Sequence, residues 1–235
     1  MLSWLLGVII STPLVILDPG HGGDQLGASS VCGLLEKNVT LDLSRRIRAL
    51  LKESGRVDVE MTRDEDFDLE LSKRAQIAND KDAALLISVH ANWSPSPKAR
   101  GLETYVVSFG KTHDKDVNEL VAREEGTLAA PPEPTKTLVR SIVEDLERYG
   151  KYDASLRAAQ SLQSELVTGL DRRDRGIFQA PFAVLRRSQV PAVLVEVGFL
   201  SHPEECKALS TDKYRAQIAK SLSAGILYYF ETLSQ

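Results

Sequence analysis

Residues 13–23 read PLVILDPGHGG: an aliphatic run from Pro13 to Asp18 stops at Pro19-Gly20 and opens into a glycine-rich loop carrying His21. A continuous apolar run bounded by turn residues is the pattern of a strand covered on both faces, as in a parallel sheet. Outward from it, helix and strand patterns alternate. Glu36 to Lys52 places Val39, Leu43, Ile47, Leu50 and Leu51 at helical spacing, and Gly55 follows as a stop. Val57 to Thr62 alternates like a short strand, Leu71 to Asn79 reads as a helix, and Ala83 to Val89 is a second aliphatic run. Leu102 to Val107 and Ala192 to Val197 are further strands, and an amphipathic helix from Tyr214 to Leu233 closes the chain. The alternation predicts an α/β fold: a single domain with a mostly parallel central sheet flanked by helices.

The rhythm breaks after Ser108. Up to a helix beginning near Ala154 there is no strand signal, only a charged helical segment (Asp116 to Glu125), the Pro-rich APPEPT of residues 130–135 and a second amphipathic segment, Leu138 to Tyr149. Long connections inside a compact domain are usually lids or binding loops. Residues 111–151 therefore read as a helical insertion, leaving the sheet at Ser108 on the edge expected to hold the site.

The chain has 235 residues, 43% hydrophobic and 26% charged, an ordinary globular balance. Twenty-nine basic against thirty-three acidic residues give a net charge of −4, which argues against nucleic acid as a partner. Cys32 and Cys206 are too few for a disulfide scaffold or a Cys-based zinc site. They read as two free thiols, with one bridge as the alternative in an oxidising compartment. MLSWLLGVIIST, residues 1–12, is too short to span a bilayer but fits the apolar region of a secretory signal. It lacks a basic residue before the apolar run and a small-x-small site after it, so the other reading is a first strand that starts early. Residues 13–235 then form the folded domain, with no stable membrane span.

Polar residues gather where the expected strands end: His21 after the first, His90 in SVHAN and Glu196 in VLVEVGF, with Glu36 opening the first helix. In open α/β sheets, ligands bind outside the carboxyl ends of the strands. Two histidines and a carboxylate are the ligand set of a catalytic zinc site, and a further carboxylate can serve as base. Thus His21, Glu36 and His90 are candidate ligands and Glu196 the candidate base. Each also has an ordinary reading: a polar loop histidine, or a glutamate complementing a helix dipole. Glu196 resists it most, because a carboxylate inside an apolar run is expensive to bury unpartnered. His113 and His202 look like surface residues, Arg63 like a structural residue at a strand end, and Asn92 like a turn former, with orienting a ligand or substrate as its other reading.

VILDPGHGG, EKNVTLDLSRRIRALL, MTRDED, SKRAQIAND, LLISVHAN and PAVLVEVGFLSHPEE, in this order, resemble the zinc-dependent N-acetylmuramoyl-L-alanine amidases of family 3. The resemblance covers nearly all the chain outside the insertion. It implies one Zn2+ per chain on His21, Glu36 and His90, with Glu196 catalytic. It implies hydrolysis of the amide between N-acetylmuramic acid and L-alanine in peptidoglycan, in the periplasm or outside the cell. Cell-separation members of the family are similar in carrying a helical insertion that covers the zinc until an activator protein displaces it. For residues 111–151 this implies an autoinhibitory lid whose carboxylate fills the open zinc position; the other reading is a solvated helical excursion with its acids facing water. Glu125 and Glu124 come first for that role and Glu144 and Glu147 next. Two rival readings are a zinc exopeptidase of similar fold and a non-catalytic peptidoglycan-binding module.

Overall fold

The structure, a computed structural model, describes residues 12–108, 114–125 and 138–233. Residues 1–11 of the candidate export segment, His113 and the Pro-rich stretch at 130–135 lie outside the described residues. So do the side chains of Leu138, Ile142, Glu144 and Glu147.

The elements follow in the order β1 (Leu14–Pro19), α1 (Glu36–Ser54), β2 (Asp58–Met61), α2 (Leu71–Asp80), β3 (Leu85–Asn92), β4 (Leu102–Val107), α3 (Lys115–Glu125), α4 (Leu138–Leu170), β5 (Asp174–Ala180), α5 (Ala183–Arg187), β6 (Ala192–Phe199), α6 (Pro203–Leu209) and α7 (Asp212–Leu233). The sheet has six strands in the order β2-β1-β3-β6-β4-β5. All neighbours are parallel except β4 and β6. This is the α/β architecture that the alternation predicts.

Alternate residues of β1 face opposite layers. Val15 and Leu17 join a core with Val39, Leu43 and Ile47 of α1 and with α4 and α7. Ile16 joins a second core with residues of α2, α3 and α5. Full burial of each such aliphatic side chain contributes about 1.5–3 kcal/mol. Because both faces are covered, the central strands read as unbroken apolar runs.

Four features depart from the expectations. β5 and the short helices α5 and α6 were not legible. β5, DRGIFQA, is an edge strand whose residues are mostly half-buried or exposed, so it lacks the apolar run of a central strand. The two helical segments expected either side of residue 150 form one helix, α4, which runs through that position. Residue 151 is therefore not a structural boundary: Lys151 Nζ donates to the Ser188 carbonyl at 2.6 Å.

The third departure is where the insertion starts. Glu103 of β4 pairs with Glu196 of β6, and the strands are antiparallel. Ser108, just past the end of β4, therefore lies at the opposite edge from the C-terminal ends of β1, β3 and β6. α3 nevertheless lies beside Asn92 and Trp93, with Val117 and Leu120 buried in the second core. The strand order decides this, and strand order is not encoded locally.

Cys32 and Cys206 form a disulfide, correcting the reading as free thiols. Their sequence separation of 174 gave no sign of proximity. The bridge pins the β1–α1 loop to α6, next to a backbone hydrogen bond from Val31 N to Leu200 O of 3.1 Å.

Candidate metal centre

The loop after β1 turns sharply: His21 has φ of 60°, in a region rarely used by residues with a Cβ. Buried arginines hold it there. Arg74 Nη1 donates to Pro19 O and Nη2 to His21 O, each at 2.7 Å. Arg63 Nη2 donates to Gly20 O at 2.8 Å, the structural role expected of it. Asp18 balances Arg74 at 2.9 Å and accepts from the hydroxyls of Thr62 and Ser88. Gly20 is required because a Cβ there would sit 2.4 Å from the His90 ring.

Glu36, the first residue of α1, is fully buried. Its Oε2 accepts from Ala28 N at 2.7 Å and its Oε1 from Ala91 N at 3.0 Å, which fixes the carboxylate between the β1 loop and β3. Gly27, with φ of 77°, brings the backbone against it: a Cβ would lie 2.5 Å from Glu36 Oε2.

These elements bring His21, Glu36 and His90 together, as expected. Glu36 Oε2 is 3.0 Å from His21 Nε2, and Glu36 Oε1 is 3.1 Å from His90 Nδ1. A fourth residue completes the group. Glu124, near the end of α3, places Oε2 2.9 Å from His21 Nε2 and 3.2 Å from His90 Nδ1. One ligand atom from each of the four lies within 4.8 Å of all the others. Of the insertion carboxylates put first, Glu124 enters the group and Glu125 does not: Glu125 accepts from Ala183 N at the start of α5. On a helix, adjacent residues point about 100° apart, so only one of the pair can face the histidines.

The arrangement fits a cation. His21 Nε2 and Glu124 Oε2 are buried and close, yet neither has a hydrogen bond of acceptable geometry. Two imidazole nitrogens and two carboxylate oxygens this close together suit a bound ion. The electrostatics agree. Burial disfavours a charged His21 ring, yet Glu36 and Glu124 overcome it and push its pKa up to about 10. The buried carboxylates therefore call for positive charge.

Glu196 lies beside this group, paired in register with His90 on one side and Glu103 on the other. It is fully buried, and both of its carboxylate oxygens lack a partner. Burial, then the charges of Glu124, Glu36 and Glu103, push its pKa well above the usual carboxylate range. A buried carboxylate without a hydrogen-bond partner, beside this group, is a candidate for proton transfer.

The neighbouring residues were partly misread. Asn92 is not a turn former but the buried end of β3, donating Nδ2 to Glu103 at 2.8 Å. Glu103 also accepts from Tyr105 Oη and Arg175 Nε, and no sequence signal marked it. His202 is buried and caps α6, its Nδ1 accepting from Glu205 N at 3.4 Å.

The sequence model described as N-acetylmuramoyl-L-alanine amidase matches residues 15–228. The chain is 32% identical over 223 residues to N-acetylmuramoyl-L-alanine amidase AmiA of Salmonella typhimurium, covering 94% of this chain and 77% of the relative. It resembles the crystal structure of an N-acetylmuramoyl-L-alanine amidase from Clostridium difficile, with TM-score 0.74, 28% identity and 94% and 98% of the two chains covered. It also resembles the amidase AmiC2 of Nostoc punctiforme, with TM-score 0.72, 30% identity and coverage of 93% and 97%.

Proposed function

Because this chain belongs to the N-acetylmuramoyl-L-alanine amidase family and is a peptidoglycan amidase, we propose that it works as an exported zinc enzyme held closed by α3. His21, Glu36 and His90 would hold the zinc. When bound, zinc acts as a Lewis acid toward the scissile carbonyl and brings the pKa of water toward ~7. The chain's own residues do the rest. Glu196 takes the proton of the attacking water as its oxygen adds to the lactyl carbonyl carbon of N-acetylmuramic acid. It returns the proton to the nitrogen of L-alanine as the C–N bond breaks, leaving a carboxylate and a free amine. The pairing of Glu196 with His90 across β6 and β3 supports this role.

The observation that carries the reading is the group of four ligand atoms within 4.8 Å, with Glu196 in the next strand position. Its test is product analysis on purified wall. An amidase releases stem peptides with a free L-alanine amine and leaves the glycan intact, with one zinc per chain. Two metals would favour a zinc exopeptidase, and no turnover with no metal a wall-binding module.

Glu124 supports the autoinhibitory role of the insertion. Its Oε2 is 2.9 and 3.2 Å from the two histidine nitrogens, so its carboxylate would compete with water or the carbonyl for a bound zinc. An activator protein that binds displaced α3 would free the site for daughter-cell separation. Export fits the Cys32–Cys206 bridge, since disulfides persist in oxidising compartments. No helix among the described residues is long and apolar enough to cross a membrane. Deleting residues 1–12 tests export: the protein should stay inside the cell.

A further inference from the structure

Resting on the amidase reading, we propose that Trp93 forms a subsite for a primary ammonium group of the stem peptide, and that Arg123 of α3 fills this subsite while the insertion is closed.

Trp93 directly follows β3, three residues beyond His90, so it stands at the edge of the sheet that carries the metal ligands. The Arg123 guanidinium lies over its ring, 5.2 Å from the centroid, and Arg123 Nη1 donates to the Trp93 carbonyl. The next residue, Glu124, meets the two histidines. Two consecutive residues of α3 thus occupy two adjacent receptors, an acid on the ligand pair and a cation on the indole.

On the fixed wall, the Trp93 ring and its carbonyl are the groups that receive a cation. Indole offers the strongest cation–π face of the side chains, and the half-buried Trp93 carbonyl loses its donor when α3 leaves. The other guanidinium on this wall, Arg175, is engaged by Glu103, which also takes Asn92 Nδ2 and Tyr105 Oη. Among the described residues lining the cavity, that leaves no unpaired guanidinium on the fixed wall for a substrate carboxylate, and Lys98 is exposed at the rim. The acids that α3 and its approach add to the cavity, Asp114, Asp116 and Glu119, leave with the lid. The cavity is about 380 Å3, room for an extended side chain.

A dibasic residue two positions after L-alanine would lie about 7–10 Å along an extended peptide from the scissile amide. Arg123 and Glu124 are consecutive, with Cα atoms ~3.8 Å apart, and their side chains reach separate receptors. The closed insertion would then present the same pair of contacts as the substrate: an oxygen at the metal and a cation on Trp93.

The test uses the full chain carrying Arg123→Ala and Glu124→Ala, which empties both receptors, and two wall substrates. One keeps the free amines of its stem peptides and the other has them acetylated. Acetylation should lower kcat/KM about tenfold, within the range of a desolvated cation–π contact plus a charge-assisted hydrogen bond. Adding Trp93→Ala should remove that discrimination by slowing only the free-amine substrate, and Trp93→Phe should keep part of it. Calorimetry on metal-free protein should show the free tripeptide binding more tightly than its acetylated form, a preference lost in Trp93→Ala. Equal rates on both substrates, or an equal loss on both in Trp93→Ala, would overturn the subsite. The second outcome would point to a sugar face on the indole. If neither substrate releases a stem peptide, the amidase reading itself fails, which is a distinguishable result.

Discussion

Glu124 Oε2 lies 2.9 Å from His21 Nε2, joining the helix that follows β4 to the loop that follows β1. The contact links the state of the insertion to the state of the metal site. A closed state favoured by ~3 kcal/mol would leave only about 1% of molecules open. Glu124→Ala should therefore raise basal release of stem peptide from purified wall about tenfold or more. Glu125→Ala should raise it much less, because Glu125 holds Ala183 N and not the histidines. Equal effects of the two substitutions would show that steric cover, not the carboxylate, closes the site.

Ligand and base separate by metal content. His21→Ala and His90→Ala should empty the site of zinc, measured by elemental analysis. Glu196→Ala should keep the metal at wild-type stoichiometry and lose turnover by about 10²–10⁴, the usual worth of a positioned acid–base group. Loss of zinc in Glu196→Ala would make it a ligand and remove the proposed division of roles.

The disulfide ties the loop bearing Ala28 N, a donor to Glu36, to α6. Replacing both cysteines with serine should cost about 2–5 kcal/mol by denaturant unfolding, in the range of a lost native bridge. It should also weaken zinc in a chelator competition, since the loop that aims Glu36 is released. Unchanged metal affinity alongside lower stability would confine the bridge to stability.

Acid should weaken the fold through Asp18. Burial opposes the charge on Asp18, but Arg74, with the Thr62 and Ser88 hydroxyls, holds its pKa below the usual carboxylate value. A carboxylate with a depressed folded pKa contributes stability above its unfolded pKa of about 3.9 and loses it as pH falls through the folded value. Unfolding free energy should therefore fall below about pH 4, and less steeply in Asp18→Asn. Arg74→Leu should cost ~3–5 kcal/mol at neutral pH, because it leaves Asp18 charged, buried and unpaired. A flat acid limb in the wild type would sink this assignment.

The sequence alone determined the layers and the principal residues of the candidate site. Strands buried on both faces must be continuously apolar, so β1, β3, β4 and β6 could be read from single runs, and their alternation with amphipathic helices specified an α/β sheet. His21, His90 and Glu196 stood out because they end or interrupt such runs, where a polar group needs a reason. Only the tertiary structure decided the rest, because it depends on which segments become neighbours. The half-buried edge strand β5 carries no apolar signature, and the pairing of Cys32 with Cys206 spans most of the chain. The antiparallel placement of β4 ends that strand at the far edge, whereas α3 lies beside Asn92 and Trp93. The rotation of that helix then selects Glu124 over the identical residue beside it. Local sequence sets what each segment is, whereas burial and lone-pair geometry across separate segments set which carboxylate meets the histidines.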